Sequence, residues 1–136
     1  MSEADVERVR RAQETWIRND RDATMEMWAA DATTNAPKEW PEVASMEGID
    51  RIRALFDGFD DVLGPDWPTQ MEIQRVEDLG GGRVLMEMGW NATGASSGAT
   101  FFQELAGIYT VTDDRISHAD FFMSHAEARR AAGLGE

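Results

Sequence analysis

Apolar residues along the chain follow two periods, and the change of period falls near the middle. Val6, Val9, Gln13, Trp16 and Ile17 recur at helical spacing, with Glu7, Arg8, Arg10, Arg11 and Glu14 on the opposite face. Ser2 and Asp5 form a capping-box-like start to this first helix. Asn19 and Asp20 break it, and Asp20 can cap a second helix that carries Met25, Trp28 and Ala29 inward and ends near Ala30 and Asp31. Residues 32–35 read as a short strand closed by Pro37, and 38–44 as a loop. Gly48 opens a third helix. Its Ile49, Ile52, Leu55, Phe56, Phe59 and Leu63 form one apolar stripe, which Gly64-Pro65 ends.

The second half alternates with period two. Trp67, Thr69, Met71 and Ile73 share a face, and Gly80-Gly81-Gly82 makes a turn. Residues 83–93 place Val84, Met86, Met88 and Trp90 on one face, and Leu85, Glu87, Gly89 and Asn91 on the other. A Gly-rich loop over 94–98 leads to a long strand over 101–111. Asp113-Asp114 turns a hairpin into a last strand over 116–123. Ser124-x-x-Glu127 is a second capping box, and Gly133 stops the short helix it opens. Helices followed by a run of strands predict a single α+β domain over residues 1–136, with helices on one face of an antiparallel meander. A curved sheet covered on one side leaves a hollow where a small ligand fits.

Composition removes several function classes. Thirteen Lys and Arg against 26 Asp and Glu give a net charge of −13. Such a surface repels a phosphate backbone and an anionic membrane, so neither nucleic acid nor membrane is an expected partner. No apolar run approaches a membrane span, and the acidic start does not resemble a signal peptide. The chain has no cysteine, which excludes disulfides, thiolate metal sites and a cysteine nucleophile, and fits a cytoplasmic location. Gly80-Gly81-Gly82 lacks the helix and basic residue of a phosphate loop, and Ser97 is not in a strand-to-helix elbow. No cofactor is expected. His118, Asp120 and His125 are spaced too tightly across an element boundary for a good metal site, so no metal is expected either.

Five short stretches resemble the nuclear transport factor 2-like superfamily, and within it the SnoaL-like proteins common in bacteria. They are Met25-x-x-Trp28-x-x-Asp31-Ala32, Met46-Glu47-Gly48-Ile49-Asp50-x-Ile52, Gly94-x-x-Ser97-Gly98, Tyr109-Thr110-Val111 before the Asp113-Asp114 turn, and Glu127-Ala128-x-x-Ala131-Ala132-Gly133-Leu134. The resemblance spans nearly the whole chain. It implies a cone-shaped, curved antiparallel sheet wrapped by three helices of the N-terminal half, a short C-terminal helix and a homodimer. It does not fix the activity, because the fold hosts isomerases, polyketide cyclases, epoxide hydrolases and non-catalytic binders.

The residues at the corresponding positions divide these activities. Ketosteroid isomerase-like enzymes place a base before the proline after the first strand. Here Ala36 precedes Pro37, and Ala12 stands near the position of the helix-one tyrosine, so that mechanism is not expected. Asn35-Ala36-Pro37 and Asp120-Phe121-Phe122 are similar to half of a limonene epoxide hydrolase-like site. Met88-Gly89-Trp90 and Thr33 depart from the rest of it. SnoaL-type cyclases use a buried Asp near the last strand with a His, and His118 and Asp120 offer both on one face of a strand.

The leading expectation is therefore an enzyme acting on a small apolar molecule by general acid–base chemistry of the cyclase, isomerase or epoxide hydrolase type. Asp120 and His118 are its catalytic pair. Asn35, Trp40, Met86, Met88, Trp90 and Phe122 contact the substrate. The alternative is a non-catalytic ligand-binding or interaction domain.

Overall fold

The computed structural model describes residues 3–39, 45–93 and 100–134. Helix α1 (Glu3–Ile17) buries Val9, Gln13 and Trp16 of the predicted stripe together with Ala12 and Thr15, and leaves Val6 and Ile17 half-buried. The cap expected at Ser2 and the loop expected over 94–98 lie outside the described residues. Asn19 turns the chain with φ 64°, and the Asp20 side chain accepts from the Ala23 N–H to start α2 (Arg21–Glu26).

This second helix is shorter than its sequence suggests, because Trp28 already belongs to strand β1 (Trp28–Asn35). The Met27 carbonyl accepts from the Ile116 N–H, and Trp28 lies opposite Ile116, so the end of α2 is set by a strand almost ninety residues away. The rest of the N-terminal half is β2 (Ser45–Glu47), α3 (Ile49–Gly58) and α4 (Asp60–Leu63). The single long third helix expected from the stripe is thus two, divided at Phe59. Ile52, Phe56, Phe59 and Leu63 still pack on the same core. Trp67–Gln70 forms one 3-10 turn with Pro68 near its start, where a strand was expected.

Strands β3 (Met71–Gly80), β4 (Arg83–Thr93), β5 (Thr100–Thr112) and β6 (Arg115–Phe122) form the predicted antiparallel meander. The full sheet has order β2-β1-β6-β5-β4-β3. One pair departs from the antiparallel expectation: β1 runs parallel to β6. Helix α5 (His125–Ala131) follows, with the Ser124 hydroxyl accepting from the Glu127 N–H.

The sheet has two unlike faces. Val84, Met86, Met88, Trp90, Leu105, Tyr109, Ala119 and Phe121 face α1–α4 in the main core. Leu85, Ala106, Ile108 and Phe122 face the other way, and Ala128 and Ala132 near the chain's end pack on them. A bulge decides which residues of β6 go where. Val111 lies opposite Ile116 but Thr110 lies opposite His118, so Ser117 is an extra residue and the alternation reverses there. Ile116, Ala119 and Phe121 therefore all join the main core, and His118 and Asp120 turn outward.

Candidate functional site

The hollow between sheet and helices is lined almost wholly by apolar side chains and has a free volume of about 80 Å³. Helix α1 contributes Val9, Ala12, Gln13 and Trp16, and α2 contributes Thr24 and Met25. The far wall is sheet: Trp28, Met71, Met88, Trp90, Leu105, Tyr109 and Phe121. Phe56, Phe59 and Trp67 close it from the side of α3, α4 and the 3-10 turn. Edge-on ring contacts run through this wall, with Trp16 against Phe56 and Trp67, and Tyr109 against Trp28 and Phe121.

A charged cluster outside the cavity holds that closure. The Arg21 guanidinium donates in bidentate fashion to Asp60 at 2.8 and 2.9 Å, and to Asp57 at 2.8 Å, while its carbon lies 5.4 Å from the Trp16 ring centre. The Trp67 indole N–H also donates to Asp60, at 2.8 Å. The Arg21 hydrogen bond, aided by its charge and the bond from Trp67, holds the Asp60 carboxyl below its usual range against the opposing effect of burial.

Among the described residues no charged side chain reaches the cavity; its polar groups are Gln13, Thr24, the Tyr109 phenol and the indoles of Trp16, Trp28, Trp67 and Trp90. Thr24 shares its hydroxyl with Thr15 at 2.6 Å and donates to the Asp20 carbonyl. The Gln13 amide nitrogen donates to the Met71 sulfur at 3.6 Å, a weak acceptor. Burial pushes the Tyr109 phenol well above its ordinary value, so it stays protonated. The Trp90 indole N–H is buried without a hydrogen-bond partner among the described residues.

The two predicted catalytic residues are elsewhere. His118 and Asp120 lie on the outer face of the sheet, beside Thr33 and Asn35 of the parallel neighbour β1. The Asn35 amide donates to Asp120 Oδ1 at 2.7 Å, and His118 Nε2 lies 2.9 Å from the same oxygen. His118 Nδ1 lies 2.6 Å from the Thr33 hydroxyl. With a neutral ring, Nε2 donates to the carboxylate and Nδ1 accepts from the threonine. Asp120 and Asn35 border an open groove with Lys38, Phe122, Glu127 and Arg130. The Asp120 side chain is 37% exposed, so this carboxylate is not in an enclosed apolar pocket.

The residues expected to make one site are therefore distributed over two faces. Asp120, His118, Asn35 and Phe122 are outside. Met88 and Trp90 line the cavity, and Met86 is core without lining it. Trp40 lies outside the described residues. His125 is half-buried, with Nε2 2.9 Å from the Met88 carbonyl oxygen. Among the described residues no group of three metal-ligating side chains is close enough to hold an ion. No helix among them is long and apolar enough to cross a membrane.

Gln13, Trp16, Tyr109 and Phe121 are cavity residues the sequence reading missed. Tyr109 was within reach of it. Leu105, Gly107 and Tyr109 alternate in step with Met88, Met86 and Val84 across a simple antiparallel pair.

Solved structures agree with this architecture. An NTF2-like protein of unknown function from Burkholderia pseudomallei is 16% identical, with 96% of this chain and 97% of that chain covered and a TM-score of 0.76. TerC, co-crystallised with polyporic acid, is 12% identical over 96% of this chain and 98% of that one, with a TM-score of 0.74. A protein with a ketosteroid isomerase-like fold from Catenulispora acidiphila, in complex with trimethylamine, is 17% identical over 94% and 93%, with a TM-score of 0.70. At these identities the likeness is one of fold. No curated protein matches. The SnoaL-like domain profile matches residues 9–119, most of the sequence and all of the cavity wall except Phe121. The chain belongs to the SnoaL-like domain family.

Proposed function

We propose that the chain binds a small, mostly apolar molecule in the cavity between the sheet and α1–α4, and that the cavity is a binding site rather than an acid–base centre. One observation carries this reading: among the described residues the cavity lining holds no carboxylate, imidazole, ammonium or guanidinium group. General acid–base catalysis needs a group that changes protonation near the working pH, and a buried phenol held above its ordinary value does not. An apolar wall instead gains about 25 cal/mol for each Å² of ligand and protein surface removed from water. Small molecules bound to two proteins of the same fold, polyporic acid and trimethylamine, support a ligand-binding role.

Trp16, Trp28, Trp67 and Trp90 all line the cavity, so binding reports itself in tryptophan emission. Titration with small cyclic hydrocarbons and ketones should give a saturable emission change and a rise in Tm. Absence of both up to the solubility limit overturns the reading.

A second reading keeps Asp120 and His118 as a catalytic pair, with Asn35 as substrate or water anchor, acting at the outer groove. The shared contacts of Asn35 and His118 with Asp120 Oδ1 favour it. It predicts that Asp120→Asn abolishes turnover of a cyclase, isomerase or epoxide substrate while leaving the cavity titration unchanged. If Asp120→Asn retains whatever turnover the wild type has, the pair is structural.

The proposal includes a homodimer. Ala128 and Ala132 cover Leu85, Ala106 and Ile108, so a partner would use the remaining outer surface, where Phe102 is 57% exposed. Sedimentation should show a dimer that Phe102→Asp dissociates; a monomeric wild type removes it.

A further inference from the structure

We infer that the cavity ligand is an apolar molecule carrying a neutral oxygen acceptor, of ketone, ether or ester type, and that the Tyr109 hydroxyl is the donor that holds it. This rests on the binding reading above and names the ligand class for that same site.

The first observation is how the polar atoms of the described residues are used. Two side-chain atoms are both unpartnered and sealed off from contact, Gln70 Oε1 and Trp90 Nε1. Tyr109 Oη also makes no hydrogen bond among the described residues, yet it is not one of the sealed atoms. The residue is only 4% exposed and lines the cavity, so the surface its hydroxyl keeps opens into that cavity. A buried hydroxyl without a partner is rare and costly, and an acceptor brought by a ligand removes the cost. A lone water is a poorer partner. It needs about two to four polar contacts, and the Tyr109 ring stands edge-on to the rings of Trp28 and Phe121.

The neighbouring positions orient the ligand. A Cβ on Gly107 would lie 3.1 Å from the hydroxyl, so the hydroxyl sits over the bare stretch of β5 where Gly107 pairs with Met86. The next pair on the same face is Leu105 with Met88, and both line the cavity. The oxygen end of the ligand belongs over Gly107 and its apolar body over Leu105 and Met88.

Proton state and charge fix the class. Burial pushes the Tyr109 phenol up, so the group stays an O–H donor at neutral pH and the ligand supplies the acceptor. No ammonium or guanidinium group lines the cavity and the chain carries −13, so an anion would lose its hydration with no counter-charge. The acceptor is therefore neutral.

The test uses cyclopentanone, methylenecyclopentane and cyclopentanecarboxylate. The first two differ only by an oxygen in place of a methylene group. Dissociation constants are read by ligand-observed NMR on the wild type and Tyr109→Phe. The preference for ketone over alkene should fall roughly three- to tenfold in Tyr109→Phe, and the carboxylate should not bind the wild type. Tyr109 is the chain's only tyrosine, so isotopic labelling of tyrosine Cζ gives one signal from this group. In the wild type the ketone should move that signal downfield, as donation from the phenol requires, and the alkene should not.

Methylenecyclopentane affinity checks that the Tyr109→Phe cavity is intact. If that affinity is lost, the labelled wild type decides alone. A preference that survives in an intact Tyr109→Phe cavity, a Tyr109 signal that ketone and alkene move alike, or binding of the carboxylate overturns the inference and leaves the apolar-binding reading standing. If neither neutral probe binds the wild type, the binding reading itself fails, and this inference with it.

Discussion

Tyr109 occupies its place in the cavity wall because Gly107 leaves room for it. A Cβ on Gly107 would stand 2.6 Å from the Tyr109 ring and 3.1 Å from its hydroxyl, so the ring folds back over a bare stretch of strand. Gly107→Ala should therefore push the ring off its site. The expected cost is about 1–3 kcal/mol in denaturant unfolding, with weaker emission response to cavity ligands. Stability equal to the wild type would mean the ring has another rotamer available. Gly82 answers a different need. It combines φ 82° with an approach that would put a Cβ 2.8 Å from the Val111 carbonyl oxygen. The sequence shows Gly107 as one more glycine within a strand, and only its neighbour two residues on explains it.

At the scale of elements, two charged clusters fasten helices that have little apolar surface of their own. Arg21 ties α2 to Asp57 and Asp60, and through Asp60 to Trp67. Because the Asp60 carboxyl is held below its unfolded value, its contribution is complete above about pH 4 and disappears as pH falls through the folded value. Asp60→Asn should cost about 1–2 kcal/mol at pH 7, and the difference from wild type should vanish towards pH 2 in thermal melts. A difference that persists at pH 2 would assign the effect to packing rather than charge.

On the other face, Arg129 of α5 lies 3.3 Å from Glu77 and 3.4 Å from Glu87, and Glu87 is 7% exposed. Arg129→Met leaves that carboxylate buried without a cation, at an expected cost of about 3 kcal/mol. The double variant Glu87→Leu/Arg129→Met should regain most of it. If the single variant is neutral, α5 is held by Ala128 and its apolar neighbours alone.

For the whole molecule, the two sheet faces separate two chemistries. The inner face makes an apolar chamber whose polar groups are neutral. The outer face carries the His118–Asp120–Asn35 set in an open groove. Occupancy of one should leave the other untouched, so a cavity ligand should raise Tm equally in wild type and Asp120→Asn, as parallel thermal-shift series would show. Unequal shifts would mean that the two faces are coupled through Phe121 and Asp120, adjacent in the chain and pointing to opposite sides.

Much of this was legible in the residues themselves. The helical stripe of α1, the alternation Val84-Met86-Met88-Trp90, the Asp113-Asp114 turn and the Ser124 cap are local patterns, and local stereochemistry fixes them wherever the chain goes. The family resemblance added the cone. His118 and Asp120 were also correctly read as sharing a face, and their link to Asn35 follows from the β1–β6 register. Which face they share was not local information. Counting by twos from the buried Ile116 sends both inward, and the extra residue Ser117 sends both outward. A bulge has no strong residue signature, so a one-residue slip of phase is decided by the partner strand. The same holds for the end of α2, set by Ile116, and for the cavity, which exists only where side chains of the helices and one sheet face fail to close completely. Residue pattern determined the elements and their apolar sides; tertiary pairing determined which chemistry each side encloses.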